Sequence, residues 1–311
     1  MRPLWRRPYA GTARTLLPVV VLLLLASEPT LAQSEANSPG SAALDEQVIL
    51  VTGSTSGLGR EVARRLAADG AHVIVHGRSE ERGNALVEEI TRDGRGSARF
   101  YAADLASLDE VRSLAEAIQR DYDRLDVLVN NAGIWLPGSD RLQLSTDGHE
   151  LHFAVNYLSG FLLTRMLVPM LTESAPSRVI NVASAAQAAI DFDNVMLERG
   201  YDGSRAYAQS KLAQVMFTFD HAQELESSGI SVHALHPATL MDTRMVEEAG
   251  VRPRSSVNEG AEAVMHLVTA ADLGSGRYFN GLREARADAQ AYDEDARRRL
   301  RMVSRALTGI E

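Results

Sequence analysis

The first strand-turn-helix unit constrains this chain more than any other feature. Gln47 to Val51 is a short apolar, β-branched run of the kind that forms a strand buried on both faces. It leads directly into Thr52-Gly53-Ser54-Thr55-Ser56-Gly57-Leu58-Gly59. Leu58, Val62 and Leu66 then mark one face of a helix that Gly70 stops. Glycines let the backbone approach a pyrophosphate closely, and a helix start offers free N–H groups at a positive dipole end. A glycine-rich turn alone need do no more than turn the chain. Set between a strand and a helix, the turn points to a dinucleotide, with Gly53, Ser54, Thr55, Ser56, Gly57, Leu58 and Gly59 as its candidate ligands.

The alternation continues along the chain. A second strand, Ala71 to His76, ends at Gly77-Arg78-Ser79, with no acid before Glu80. An acid at that position suits a free ribose 2′-hydroxyl, whereas an arginine suits a 2′-phosphate. Arg78 therefore favours NADP(H), with NAD(H) as the alternative. A helix over Glu81 to Arg92 and a strand over Ala98 to Ala102 lead to Asp104-Leu105, where Asp104 is in register to hold an adenine amino group. A helix over Leu108 to Tyr122 precedes a strand over Leu125 to Asn130, which closes on Asn131-Ala132-Gly133 at the sheet's carboxyl edge. Such alternation predicts an α/β chain: one domain, residues 46–311, built on a doubly wound parallel sheet, the Rossmann fold.

Past a loop over Ile134 to Thr146, a long apolar helix from Gly148 to Leu171 carries Asn156, a polar residue that needs buried partners. The strand Arg178 to Val182 delivers Ser184 to the same edge. Tyr207 and Lys211, four apart on the next helix, share a face. Lys211 is the only lysine in the chain, against 31 arginines, so a compact ammonium is used where a guanidinium does not serve. At roughly 5 Å and an effective dielectric of ~20, that charge favours the phenolate by about 3 kcal/mol, or about two pKa units. The expectation is a Tyr207 phenol able to give and take a proton near pH 7. A strand over Ile230 to His236, then Pro237-Ala238, a loop to Ser256, a helix to Thr269 and a strand over Arg277 to Asn280 follow. A helix over Ala287 to Leu307 completes the pattern.

Composition removes several classes of function. There is no cysteine, hence no disulfide, thiol nucleophile or cysteine metal site. The net charge of −9 argues against nucleic acid. His233 and His236 read as structural, and His149 with His152 lacks a third ligand, so no metal is expected. At the N-terminus Arg2, Arg6, Arg7 and Arg14 precede an apolar run from Leu16 to Ala26 and a small-residue stretch ending at Ala32. Residues 1–32 read as a secretory or twin-arginine-like signal peptide, or as an uncleaved anchor that is then the one membrane contact. Export or anchoring follows from that reading, and a start codon placed too early would instead leave a cytoplasmic protein. Residues 33–45 read as a linker.

Taken together, these motifs resemble the short-chain dehydrogenase/reductase family from about Gln47 to Asn280, and most closely its retinol-dehydrogenase-like branch. The resemblance implies Tyr207 as catalytic acid/base, Ser184 as hydrogen-bond partner of the substrate oxygen, and Asn156 as anchor of a relay water. It implies that Lys211 holds the nicotinamide ribose, that Tyr207 and Pro237 also border the cofactor, and that Thr243 does too, with Thr239 as rival. It implies homo-oligomers through the two long helices. The function so read is reversible hydride transfer between an alcohol and an aldehyde or ketone, on a small-molecule substrate. A dinucleotide-binding sensor without turnover is the rival from another class. A sugar-nucleotide epimerase or dehydratase is disfavoured by the short chain after Thr243. The walls Ile134 to Thr146, Gln187 to Arg205 and Thr239 to Ser256 carry Trp135, Leu136, Met196, Met241 and Met245, which suits a medium-sized apolar carbonyl.

Overall fold

The computed structural model of the chain describes residues 44–310, which lie within one compact unit; the proposed leader and most of the proposed linker lie outside them. The sheet begins with β1 (Val48–Val51), whose four residues are all buried. Ile49 and Val51 face one core and Val48 and Leu50 the other, so a single strand supplies both sides. Burying each such side chain contributes roughly 1.5–3 kcal/mol. The glycine turn leads to α1 (Gly57–Ala68), then β2 (His72–Gly77), α2 (Glu80–Asp93), β3 (Ser97–Ala102), α3 (Leu108–Asp121) and β4 (Val127–Asn130). A π-helical segment, Phe153–Leu158, runs into α4 (Ser159–Glu173). Next come β5 (Ser177–Val182), α5 (Gly203–Glu224), β6 (Ile230–His236), α6 (Arg244–Glu248), α7 (Val257–Thr269), β7 (Arg277–Asn280), β8 (Arg283–Glu284) and α8 (Glu294–Thr308).

The strand order is β3-β2-β1-β4-β5-β6-β7-β8, parallel throughout except for the antiparallel pair β7·β8. The order reverses between β1 and β4, and the crevice beyond the carboxyl ends of those strands is where ligands bind in such sheets. Helix starts follow their side chains. Ser79, Ser107, Asp202 and Ser256 each accept from the backbone N–H three residues on. Phe153–Glu173 is the one described helical run long and apolar enough to cross a bilayer, yet 72% of its most apolar window is buried in the fold. It is a core helix.

The structure moves several boundaries. Leu44, expected in the linker, is 4% exposed and belongs to the core. Gly148 has φ +80, a left-handed conformation, so the helix expected from there begins at Leu151. α5 starts at Gly203 because Asp202 caps it, which places Tyr207 in its second turn. The terminal helix begins only at Glu294, where Asp293 accepts from two backbone N–H groups. The loop after β6 contains the short α6.

α8 packs along α5. The Arg301 guanidinium donates to both carboxylate oxygens of Asp220 at 2.6 Å. Ser304 Oγ and Tyr157 Oη lie 2.7 Å apart, fully buried, and Arg112 donates to the Thr308 carbonyl.

Candidate active site

One cleft of about 570 Å³ opens at the switch point. Its floor is the glycine turn. Thr52 Oγ1 accepts from the Asn131 and Ala132 N–H groups at 3.0 Å each, and Asn131 Nδ2 donates to the Thr52 carbonyl at 2.8 Å. The two strand ends therefore hold each other, and Asn131 shapes the turn. A Cβ on Gly53 would sit 2.9 Å from Ala132 Cα, and one on Gly59 would sit 2.5 Å from the Gly53 carbonyl oxygen, so both positions require glycine. Ser56 makes no side-chain cap, which leaves the first N–H groups of α1 for a ligand. This tight, uncapped cradle fits a pyrophosphate.

Almost every residue expected at the site lines this cleft: Thr55 to Gly59, Arg78, Asp104 and Leu105, Asn131 to Gly133, Ser184, Tyr207, Lys211, Pro237 and Thr243. Ser54 does not. Its hydroxyl accepts from the His76 N–H at 2.9 Å and is fully buried, pinning the turn to β2. Asn156 lies behind the wall. Its Oδ1 accepts from the Ile134 N–H at 2.7 Å, and its Nδ2 donates to the Ile134 carbonyl and to Ser210 Oγ. Ser210 in turn donates to the Tyr207 carbonyl at 2.7 Å, so Asn156 braces the helix that carries the phenol. The methyl of Thr243 would lie 3.3 Å from a Cβ on Gly57, while the rival Thr239 hydroxyl is 2.9 Å from His236 Nε2.

At the far end Arg78 lies 3.9 Å from Asp104, with 70% of its side chain exposed. Arg82 joins it on the cleft wall, a second guanidinium that the residue pattern did not single out although it lies one helical turn on. His76, also unforeseen, accepts the Gly53 N–H on Nδ1 at 3.1 Å; burial pushes its pKa down to about 4, so it remains a neutral acceptor.

At the near end Ser184 is held by its neighbours. Its Oγ accepts from the Ala186 N–H at 3.1 Å, and its carbonyl accepts from Tyr278 Oη and Gln187 Nε2. Its side chain lies beside the Tyr207 phenol and acts to lower the phenol's pKa. Lys211 Nζ lies 5.7 Å from the centre of the Tyr207 ring and donates to the Val182 carbonyl at 2.9 Å and to Gln214 Oε1 at 2.8 Å. Here the structure corrects the electrostatic expectation. Burial raises the Tyr207 pKa, opposed by the Ser184 side chain, and pushes Lys211 down to about 7. The Lys211 ammonium is turned to two acceptors, and desolvation sets the direction of the phenol's shift. Tyr207 therefore keeps its proton at neutral pH in this state. Gln214, three residues past Lys211, was the missed partner that orients it.

The short chain dehydrogenase family model matches residues 47–253. Human retinol dehydrogenase 13 is 34% identical, the match covering 96% of each chain. An uncharacterised protein from Mycobacterium paratuberculosis superposes with a TM-score of 0.73 at 28% identity, over 87% of this chain and 96% of that one. A short chain dehydrogenase from Burkholderia cenocepacia, solved in complex with NADP, gives 0.64 at 28% identity over 77% and 97%.

Proposed function

The chain belongs to the short-chain dehydrogenase family and is a nicotinamide-dependent oxidoreductase of alcohol and carbonyl groups; we propose that it uses NADP(H), with Tyr207 as its acid/base. The observation that carries this reading is one continuous cleft, with Ser184, Tyr207 and Lys211 at one end and Arg78 with Arg82 at the other. When bound, the nicotinamide supplies the hydride. The chain's own groups do the rest. Ser184 hydrogen-bonds the carbonyl oxygen and stabilises charge as it grows there. Tyr207 delivers its proton to that oxygen, a downhill transfer from a phenol to an alkoxide. In the oxidising direction the Tyr207 phenolate must accept the alcohol's proton, a form that a charged Lys211 favours. Asn156 Oδ1 keeps a lone pair beyond its Ile134 bond, room for the relay water the resemblance implies.

The direct test is NADPH oxidation against a panel of aldehydes, ketones and quinones, with NADH in parallel. Arg78→Gln is expected to weaken NADPH binding about tenfold, the scale of one charge-assisted hydrogen bond, and to leave NADH unchanged. A parent enzyme that strongly preferred NADH would overturn the role given to Arg78.

Lys211 gives a second, pH-dependent test. In the free cleft it titrates near about 7 because burial disfavours its charge. A dinucleotide's negative charge favours the ammonium and raises that value on binding. Between the two values the complex holds a proton that the free chain lacks, so affinity weakens as pH rises, by at most about tenfold per unit. The Kd for NADPH should rise about fivefold or more from about pH 7 to about 8.5. Calorimetry in buffers of different ionisation heat should detect proton uptake, and Lys211→Met should show neither effect. A flat Kd for the parent would detach Lys211 from the cofactor.

Residues 1–32 support an exported or membrane-anchored enzyme, and a downstream start would give a cytoplasmic one.

A further inference from the structure

Trp135 follows directly on the Asn130–Gly133 edge, and the chain is fixed on both sides of it. Before it, Asn156 holds Ile134 by both its N–H and its carbonyl. After it, the Leu136 N–H donates to His152 Nε2 at 3.1 Å. That donation makes Nε2 the acceptor and directs the His152 proton through Nδ1 to Glu150 Oε1, 2.8 Å away. Glu150, 1% exposed, is satisfied by two more donors, the Phe153 N–H at 2.7 Å and Tyr201 Oη at 3.1 Å. His152 and Asn156 stand four residues apart on one helical run, so a single rigid element clamps the backbone before and after the indole.

The indole thus held borders the reacting end of the cleft. Its ring centre is 5.9 Å from that of Tyr207, at 46°. The His152 ring meets Tyr207 edge-on at 6.3 Å and 82°, leaving the phenol between two aromatic neighbours. Trp135, Tyr207 and Ser184 line one cleft, so a carbonyl compound held at the two hydroxyls would have the indole as its aromatic neighbour on that wall. Leu151, Val155, Met241 and Met245 add apolar surface to the same cleft. Since folding has already ordered this wall, substrate binding does not have to.

We propose that Trp135 is a specificity-determining residue, a fixed aromatic wall that selects carbonyl compounds with an aromatic ring joined directly to the reacting carbon. This rests on the reading that Tyr207 and Ser184 meet the carbonyl oxygen. The alternative is that Trp135 only covers the phenol, and the two ideas differ in what a ring substitution does.

The test compares the full-length parent, Trp135→Leu and Trp135→Phe, each with NADPH and either benzaldehyde or cyclohexanecarbaldehyde. The ratio of kcat/KM for the aromatic over the saturated aldehyde should fall about tenfold in Trp135→Leu, mostly through KM, and stay within about threefold of the parent in Trp135→Phe. Binding of the unreduced amides, benzamide and cyclohexanecarboxamide, to the NADPH complex gives the same comparison without turnover. Benzamide should bind about tenfold more tightly to the parent, and Trp135→Leu should abolish the difference. An equal loss for both compounds, or no change in either ratio, would overturn the proposal. If neither aldehyde is reduced while the amides still discriminate, the catalytic reading fails and the aromatic wall stands.

Discussion

Tyr207→Phe should reduce kcat/KM for carbonyl reduction about 10³-fold, close to 4 kcal/mol of transition-state stabilisation, while NADPH binds within about threefold of the parent. The phenol lines the cleft, half-buried, and is protonated at neutral pH, because desolvation raises its pKa. Phe keeps the ring, its contact with Trp135 at 5.9 Å and its edge-on contact with His152, and removes only the hydroxyl that carries the proton. Stability should therefore change little, and circular dichroism and melting temperature serve as controls. Stopped-flow measurement of NADPH oxidation separates loss of chemistry from loss of binding. A variant as fast as the parent would remove Tyr207 from the reaction and return the chain to the rival class, a nucleotide sensor on the same fold.

The second large effect is expected at Gly59. Alanine there would place its methyl 2.5 Å from the Gly53 carbonyl oxygen and closer still to the Asn131 amide. The obstacle is backbone, so the turn itself must move. Overpacking of this kind costs about 1–3 kcal/mol, a fall in Tm of roughly 2–8 °C in a chain of this size. The cradle cannot open without losing its fit to a pyrophosphate, so NADPH affinity should fall about 100-fold or more. Gly138→Ala is the contrasting control: its φ of +72 strains any side chain, but no atom lies within 4 Å of the added methyl. It should cost about 1 kcal/mol and leave Kd unchanged. Tight NADPH binding by Gly59→Ala would show that the glycine turn is not the phosphate site.

Much of the fold was legible because the parallel strands are buried on both faces and read as unbroken apolar runs, as with β1, β5 and β6. Their ends agree with the sequence pattern to within a residue or two. Features set by side-chain capture were harder to read. The π-helical turn around Asn156 leaves no periodic signature in Phe-Ala-Val-Asn-Tyr-Leu, and α6 is only five residues long. In the site, spacing alone brought the glycine turn, Ser184, Tyr207 and Lys211 to one edge. It could not give their electrostatics. How deeply the phenol is buried, and that the ammonium turns to Val182 and Gln214, are tertiary facts; they reverse the expected direction of the Tyr207 pKa. Arg82 was overlooked because one arginine among 31 carries no signal until the chain places it beside Arg78.

α8 lies against α5 through the Arg301–Asp220 pair and against the π-helical segment through the buried Ser304–Tyr157 contact. Fourteen of the 22 residues of α5 are buried, Thr218, His221 and Ala222 near its end among them. The chain's own tail thus covers part of α5. A second copy docking where α8 lies would first have to displace the tail and break the Arg301–Asp220 pair.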